Sequence, residues 1–424
     1  MKKTRLPSAL VLGVDRPATL AVVRELGRRG VPVHGIGVDS HALARCSRHL
    51  QRFEIRPEGP IKEWLPGLMA KLGSEVALAP GEEDMLALAE NSEGTMGCRI
   101  ISPPLHAIAA ILDKPQTLAF AERVGIETPL TWQPSDPDDP MPELGWPIVV
   151  KWANPAEVKP ALARADLPFV KTDYCAGEAS LRALLRRYAP VGSLPIVQQR
   201  IPGRGIGHMF YMHEGRAVLR FQHERLHEWP AEGGVSTLCR ALPLSRHAEQ
   251  IKKSEALLAA IGWKGPAMVE YRHDAATGRF VLMEVNGRFW GSQPLATACG
   301  AEFAWELYRR EVLGEEDAAP KPRANLRARH MMRDTKRLVR LLRARPSRDP
   351  AYRATPFRDL GRYLGGFLDP RTRYYVFALD DPGPFVADVS AAAQRVARKL
   401  VAKLWRVLGS RKARPPQGES GGEA

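Results

Sequence analysis

Glu284, Asn286 and Arg288 stand at two-residue steps in Val281-Leu-Met-Glu-Val-Asn-Gly-Arg288. Val281, Leu282, Met283 and Val285 favour a strand, and Gly287 breaks the run. Side chains two apart on a strand share a face, so Glu284 and Asn286 project together and Arg288 can follow them into one cleft. A carboxylate and an amide oxygen are hard ligands suited to Mg²⁺, and a guanidinium suits a phosphate or another oxyanion. One strand earlier, Ala267-Met-Val-Glu-Tyr-Arg272 carries Glu270, and His273–Gly278 supplies the turn between the two. In such a hairpin Glu270 lies opposite Glu284 or one pair diagonal to it. Two carboxylates that close repel unless a cation sits between them. Alone, Glu270 would read as a solvated acid of an ordinary hairpin. With the other three at one end of it, the set points to a metal site.

Glu270 followed by Met283-Glu-Val-Asn-Gly-Arg288 resembles the metal-binding core of the ATP-grasp superfamily, in which an acidic strand and a turn precede Glu-x-Asn-x-Arg. With Arg288-Phe-Trp-Gly-Ser292 included, the run is similar to the carboxylate–amine ligase branch, related to carbamoyl-phosphate synthetase large chains. The resemblance covers roughly residues 5–315. It implies ATP and Mg²⁺ (or Mn²⁺) as cofactors, Glu270, Glu284 and Asn286 as metal ligands, and Arg288 and Arg225 as catalytic residues. The implied reaction is phosphorylation of a carboxylate, followed by amine attack to give an amide. Two rivals stand beside it. One is an ATP-grasp carboxylation using bicarbonate; the other is a non-catalytic nucleotide-binding or membrane-associated scaffold.

The elements needed to position these residues are visible in outline. Ser8–Val14 is an apolar strand, a helix follows from about Ala18 to Arg29, and Val31–Val38 is the next strand. This β-α-β unit opens a parallel sheet with a ligand site at its strand ends, where Asp15 and Arg16 are either substrate contacts or a capped turn. It lacks G-x-G-x-x-G, so it is not read as dinucleotide-binding. The expected architecture is mixed α/β and α+β. It comprises an N-terminal parallel-sheet domain (1–112), a two-lobed ATP-grasp domain (113–195 and 196–315), a basic and mostly helical extension (316–408) and a disordered tail (409–424).

By the resemblance, Lys114 and Lys151 contact the nucleotide phosphates, Lys171 on a strand Phe169–Thr172 is a further lysine of that site, and Gln198, Gln199, Arg200 and Ile201 face the adenine edge. Lys151 also stands on its own chemistry. It ends the apolar strand Pro147-Ile-Val-Val-Lys151, where an unpaired ammonium is costly to bury. The chain departs from the family just after it: Ala153-Asn-Pro-Ala-Glu-Val-Lys-Pro160 holds no glycine, where most members place a glycine-rich phosphate lid. Arg225 and His223, followed by Gly233-Gly234, mark either the acceptor pocket or a surface turn and a satisfied strand histidine.

The chain has 424 residues, 44% hydrophobic and 26% charged, the make-up of a soluble globular protein. No apolar run is long enough to span a bilayer, and Asp15 and Arg16 interrupt the one that would mimic an export signal. Five scattered cysteines without a C-x-x-C pair fit a reducing, cytoplasmic compartment. The net charge of +15 lies wholly in residues 321–424, which hold 24 Lys/Arg against 9 Asp/Glu. There Val389, Val396, Leu400, Leu404 and Val407 recur at helical spacing beside Arg395, Arg398, Lys399, Lys403 and Arg406. Such a helix, carrying Trp405, suits either an anionic membrane face or packing on the body. No aromatic-interleaved basic platform points to nucleic acid. The expected partners are a small carboxylate and an amine.

Overall fold

The computed structural model of the chain describes residues 5–91, 99–343 and 347–412. The first unit runs β1 (Ala9–Leu12), α1 (Pro17–Arg28), β2 (Val33–Gly37), β3 (Arg52–Ile55), α2 (Ile61–Leu72), β4 (Val76–Leu78), α3 (Glu82–Glu90), β5 (Arg99–Ile101) and α4 (Leu105–Leu112). Its five strands lie in the order β3-β2-β1-β4-β5, and every pair is parallel. Parallel strands are covered on both faces, which is why Ala9-Leu-Val-Leu12 is apolar at every position and wholly buried. α1 starts with Pro17, whose missing N–H costs nothing at a first helical position.

The second unit, the first lobe expected for 113–195 and called the lid below, follows as α5 (Lys114–Arg123), β6 (Thr131–Trp132), β7 (Ile148–Lys151), α6 (Pro155–Arg164), β8 (Thr172–Cys175), α7 (Glu178–Tyr188) and β9 (Ile196–Gln199). Asp113 caps α5 by accepting from the Gln116 N–H at 3.0 Å. The four strands form a sheet in the order β6-β9-β7-β8 with an apolar core of its own around Ile148, Val150, Leu181 and Leu185. The glycine-free segment after Lys151 is the helix α6. Val158 and Leu162, one turn apart, bury against Trp152 and Tyr188, and that anchorage overrides Pro160 inside the helix.

The last unit contains β10 (Arg204–His213), β11 (Arg216–Trp229), β12 (Val235–Ala241), α8 (Ala248–Ile261), β13 (Gly265–His273), β14 (Phe280–Asn286), α9 (Gln293–Ala298) and α10 (Phe303–Tyr308). The remainder is β15 (Arg327–Arg329), α11 (Met331–Leu342), α12 (Pro356–Leu368), β16 (Thr372–Tyr374) and α13 (Gly383–Lys412). Seven strands form the large sheet, in the order β14-β13-β10-β11-β12-β15-β16. The basic extension is therefore helical in the main but also lengthens this sheet, β15 pairing with β12 and β16 lying parallel to β15. One continuous apolar cluster joins β1 and α1 to β10, β11, α9 and α10, so the N-terminal sheet and the large sheet share a core. Among the described residues no helix is long and apolar enough to cross a membrane. α13 continues through Lys412; the expected tail from 413 onward, and the side chains of Lys399, Leu400, Lys403, Leu404, Trp405, Arg406 and Val407, lie outside the described residues. The four described cysteines are all free.

Candidate active site

The hairpin places its acids as the alternation requires. Glu270 and Glu284 are directly cross-paired between β13 and β14, and Met268 pairs with Asn286 on the same face. Asn286 donates its amide to Glu284 Oε1 at 3.1 Å and accepts from Arg288 Nη2 at 2.9 Å. Burial pushes Glu284 up, but Lys171, the Asn286 amide, Arg288 and Arg225 outweigh it and hold the carboxyl at about 2. Glu270 moves the other way: burial raises it, and Arg225 opposes without reversing the shift. The pair thus combines a permanently ionised carboxylate with a more basic one.

Arg225 belongs to this cluster. It reaches across β10 to ion-pair with Glu270, and also donates to Glu228 at 3.3 Å and to the Gly234 carbonyl at 3.0 Å. The crossing requires Gly205, where an added Cβ would sit 2.7 Å from Arg225 Cδ. Gly234 closes the β11–β12 turn, where a Cβ would meet the Trp229 carbonyl oxygen at 2.3 Å. His223 accepts or donates at Nδ1 with Ser292 at 3.0 Å, and burial drives its pKa well down, so it is neutral at ordinary pH.

The lysines converge from the lid. Lys114 Nζ donates to the carbonyls of Trp152 and Ala153 at 2.7 and 2.9 Å, and burial lowers its pKa against the pull of Glu284. Lys151 is pushed down to about 8, chiefly by burial, with Glu284 opposing and Lys114 adding to the fall. Lys171 is not on a strand. Antiparallel pairing of Lys151 with Thr172 starts β8 one residue later, which leaves Lys171 just past the ladder and within electrostatic reach of Glu284.

The stretch expected at the adenine edge divides in two. Gln198 pairs with Val149 and Thr131 and donates its side-chain amide to Thr131 at 2.9 Å, while Gln199 pairs with Ile148. Both are committed to the lid sheet, so the backbone first leaves it at Arg200 and Ile201. The Arg200 side chain ion-pairs with Asp349 at 2.8 Å.

Sequence reasoning missed three site neighbours. Glu82, in the first turn of α3, lies 3.4 Å from Arg288. Glu228 and Arg272 pair at 3.0 Å and continue the chain of charges from Arg225. Their signal was weak: Arg272 stands two residues from Glu270 on β13, and Glu228 three from Arg225. Asp15 accepts from the Val38 N–H at 3.1 Å, a bond to the end of β2, and α1 carries no side-chain cap. Glu224, adjacent to Arg225, faces away from the site and pairs with Arg204 and Arg240. Beside Arg288 a cavity of about 140 Å³ is walled by Leu78, Met85, Ile101 and Phe289 at the carboxyl ends of β4 and β5, with Ser102, Lys264 and Glu311 as polar members.

Two carboxylates and an amide oxygen are hard ligands that fit Mg²⁺. Among the described residues no group of three His, Cys, Asp or Glu could hold a metal unaided, so ligand phosphates and water would have to complete such a shell.

No protein-family model matches the sequence, and no curated protein matches it. Solved structures do. The L-amino acid ligase of Bacillus licheniformis is 15% identical with a TM-score of 0.56, over 75% of this chain and 78% of that one. The biotin carboxylase of Campylobacter jejuni, in complex with β-γ-ATP, is 12% identical with a TM-score of 0.59, over 76% and 74%. The N5-carboxyaminoimidazole synthetase of Staphylococcus aureus, complexed with ADP, is 12% identical with a TM-score of 0.56, over 75% and 80%. At these identities the likeness establishes the fold, which is that of the ATP-grasp enzymes, as the Glu-x-Asn-x-Arg run led us to expect.

Proposed function

We propose that the protein is a Mg²⁺- and ATP-dependent carboxylate–amine ligase. The observation that carries this is the direct pairing of Glu270 with Glu284 beside Asn286 and Arg288, facing three lysines of the lid. Glu270, Glu284 and Asn286 would hold the metal, which supplies charge neutralisation for the phosphates. Lys114, Lys151 and Lys171 would bind the phosphates from the lid side, and the first turn of α6 would stand where relatives use glycines. Backbone groups of Arg200 and Ile201 would meet the adenine edge. A carboxylate oxygen of the substrate attacks the γ-phosphorus and ADP leaves. The amine nitrogen then attacks the acyl carbon, losing a proton as phosphate departs. Arg288 and Arg225 stabilise the oxyanion of that second step, and the apolar cavity beside Arg288 would take a small apolar part of the substrate. The test is ADP release across a panel of carboxylates and amines. Turnover that requires both partners supports the reading, and turnover that requires bicarbonate would replace it with a carboxylation.

Lys151 makes nucleotide binding pH-dependent. Phosphate binding favours the ammonium and so raises its pKa above the value of about 8 in the empty protein. Above pH 8, ATP binding is therefore expected to take up a proton, and affinity falls as pH rises, by at most about tenfold per unit. Calorimetry at pH 8.5 in two buffers of different ionisation enthalpy reads this directly. Identical heats in both, with no fall in affinity, would remove Lys151 from the phosphate site.

The exposed valines of α13 favour a second activity, docking on an anionic membrane surface. Val386 and Val396 are 59% and 57% exposed on a helix that includes Arg395 and Arg398. Salt-sensitive binding to anionic vesicles, lost on deleting residues 385–424, is the expected result. An intact protein that ignores such vesicles ends this reading.

A further inference from the structure

The large sheet carries a second charged site on its other face. Gly207 of β10 pairs with both Glu270 and His223, which places that line of residues on the catalytic face. Its neighbour Ile206 pairs with Glu224, Glu224 with Arg240, Arg240 with Arg327, and Arg327 with Thr372. Consecutive strand residues point to opposite faces, so Arg240 and Arg327 lie on the far side of the sheet from the metal-ligand pair. There α12 covers them, and between helix and sheet is a cavity of about 430 Å³ lined by Arg204, Arg240, Arg327, Arg329, Arg362 and Asp369. That volume is in the range of small-molecule sites.

The charges in it do not cancel. Arg204 and Arg240 share Glu224 at 3.2 and 2.6 Å, Arg327 pairs with Asp369 at 3.1 Å, and Arg329 lies 3.3 Å from Asp334. Arg362 has no acidic partner among the described residues. Three carboxylates against five guanidiniums leave an excess of two positive charges. A donor is also left over: the Nε–H of Arg240 is buried without an acceptor, although buried donors are nearly always paired, whereas Arg329 Nε is the atom that faces Asp334. Arg329 is 1% exposed, held by the Tyr363 carbonyl at 3.0 Å and against the Tyr363 and Phe367 rings. Its seat depends on Gly366, where a Cβ would meet Nη2 at 2.2 Å. A fully buried arginine kept in place by a glycine, beside one without an acidic partner and an open cavity, is an arrangement that suits an anion.

We propose that this cavity binds a phosphate monoester dianion, whose charge near neutral pH matches the excess and whose oxygens suit several guanidinium forks. The proposal does not rest on the ligase reading. The phosphate could belong to a soluble molecule or to a lipid headgroup, since α12 also exposes Phe357, Leu364 and Leu368 at 84%, 57% and 87%.

The probes are inorganic phosphate, against chloride at equal ionic strength, and phosphatidylcholine vesicles with and without phosphatidic acid. The key variant is Gly365→Glu. Gly365 lines the cavity and a Cβ there meets nothing within 4 Å, so the carboxylate enters the site without disturbing the helix. Arg362→Ala is the second variant and Lys151→Ala the control for phosphate bound at the nucleotide site. Phosphate is expected to raise the melting temperature of wild type and Lys151→Ala, to fail with Gly365→Glu, and to act about tenfold more weakly on Arg362→Ala, the worth of one charged hydrogen bond. Vesicle binding that needs phosphatidic acid and is lost in Gly365→Glu assigns the phosphate to a lipid. A response to phosphate alone, lost in the same variant, assigns it to a soluble ligand. No phosphate response in wild type, or an undiminished one in Gly365→Glu, overturns the proposal. Cooperative thermal unfolding of both cavity variants in phosphate-free chloride, as in wild type, shows that they fold.

Discussion

Glu284→Gln is expected to lower ADP formation by about a hundred- to a thousandfold, the usual loss when a preorganised charge-stabilising group is removed. It should also abolish the Mg²⁺-dependent part of the stabilisation by ATP, about 2.7 kcal/mol at a hundredfold excess over the dissociation constant. The substitution keeps the shape and removes only the charge. Glu284 is ionised at any working pH, its carboxyl being held at about 2 despite burial by Lys171, Asn286, Arg288 and Arg225. Taking that charge away leaves those cations unbalanced, so ATP without metal should bind as tightly as before, or more so. A folding defect has the opposite signature, since it weakens binding with and without Mg²⁺. A depressed carboxyl stabilises the fold above its unfolded pKa and loses that contribution as pH falls toward 2, so the variant is assayed well below its melting temperature. Glu270→Gln makes the informative companion. It strands Arg225, which still has Glu228 at 3.3 Å, and so tests the metal site without emptying it of negative charge. Near wild-type turnover by Glu284→Gln would falsify the metal assignment.

The hairpin carrying these acids was legible because its rules are local. Alternation fixed which side chains share a face, the His273–Gly278 turn left two registers open, and the structure has the one in which Glu270 lies directly opposite Glu284. The same local rules hold for α8, Ala248–Ile261, which buries Ile251, Leu258 and Ile261 and stops at Gly262 in the left-handed conformation. What escaped notice depends on partners distant in sequence. α6 opens at Pro155, which suits a first helical position, but Pro160 inside it argues locally against a helix; packing of Val158 and Leu162 on Trp152 and Tyr188 makes it one. β15 and β16 are three residues each, too short to show a period, and exist because β12 offers an edge. Arg225 reaches Glu270 only because Gly205 leaves room on an intervening strand. No spacing within Phe221–Leu226 announces that.

Asp381→Ala is expected to cost about 3–5 kcal/mol of stability, the loss typical when one partner of a buried ion pair is removed. Arg24 on α1 and Asp381, 357 positions later, have side chains 6% and 2% exposed and meet at 2.9 Å. Ser47 Oγ at 2.7 Å and the Arg48 N–H at 2.9 Å complete the carboxylate's shell, while Arg24 also donates to the carbonyls of Val376 and Asp381 at 2.8 Å. Burial works against this carboxyl, yet its bonds to Ser47, Arg48 and Arg24 hold it below the ordinary range. Its contribution is therefore present above its unfolded pKa and fades as pH falls through the lower folded value. Without it the guanidinium stays buried with two carbonyls and no counter-charge. The adjacent pair Arg28–Asp380 is an internal standard: its side chains are 36% and 49% exposed, so Asp380→Ala should cost no more than about 1 kcal/mol. Denaturant unfolding of both variants decides the matter, and equal losses would mean that the buried pair is no clamp. Adding Arg24→Met to Asp381→Ala should recover much of the loss, because an apolar side chain has no charge to strand. The strap this pair ties down crosses α1, which also sends Glu25 into Gln293 and Thr297 of α9, just beyond Arg288. A loosened strap should accordingly weaken the seat of the N-terminal sheet against the site, raising the substrate KM before it changes the affinity for ATP.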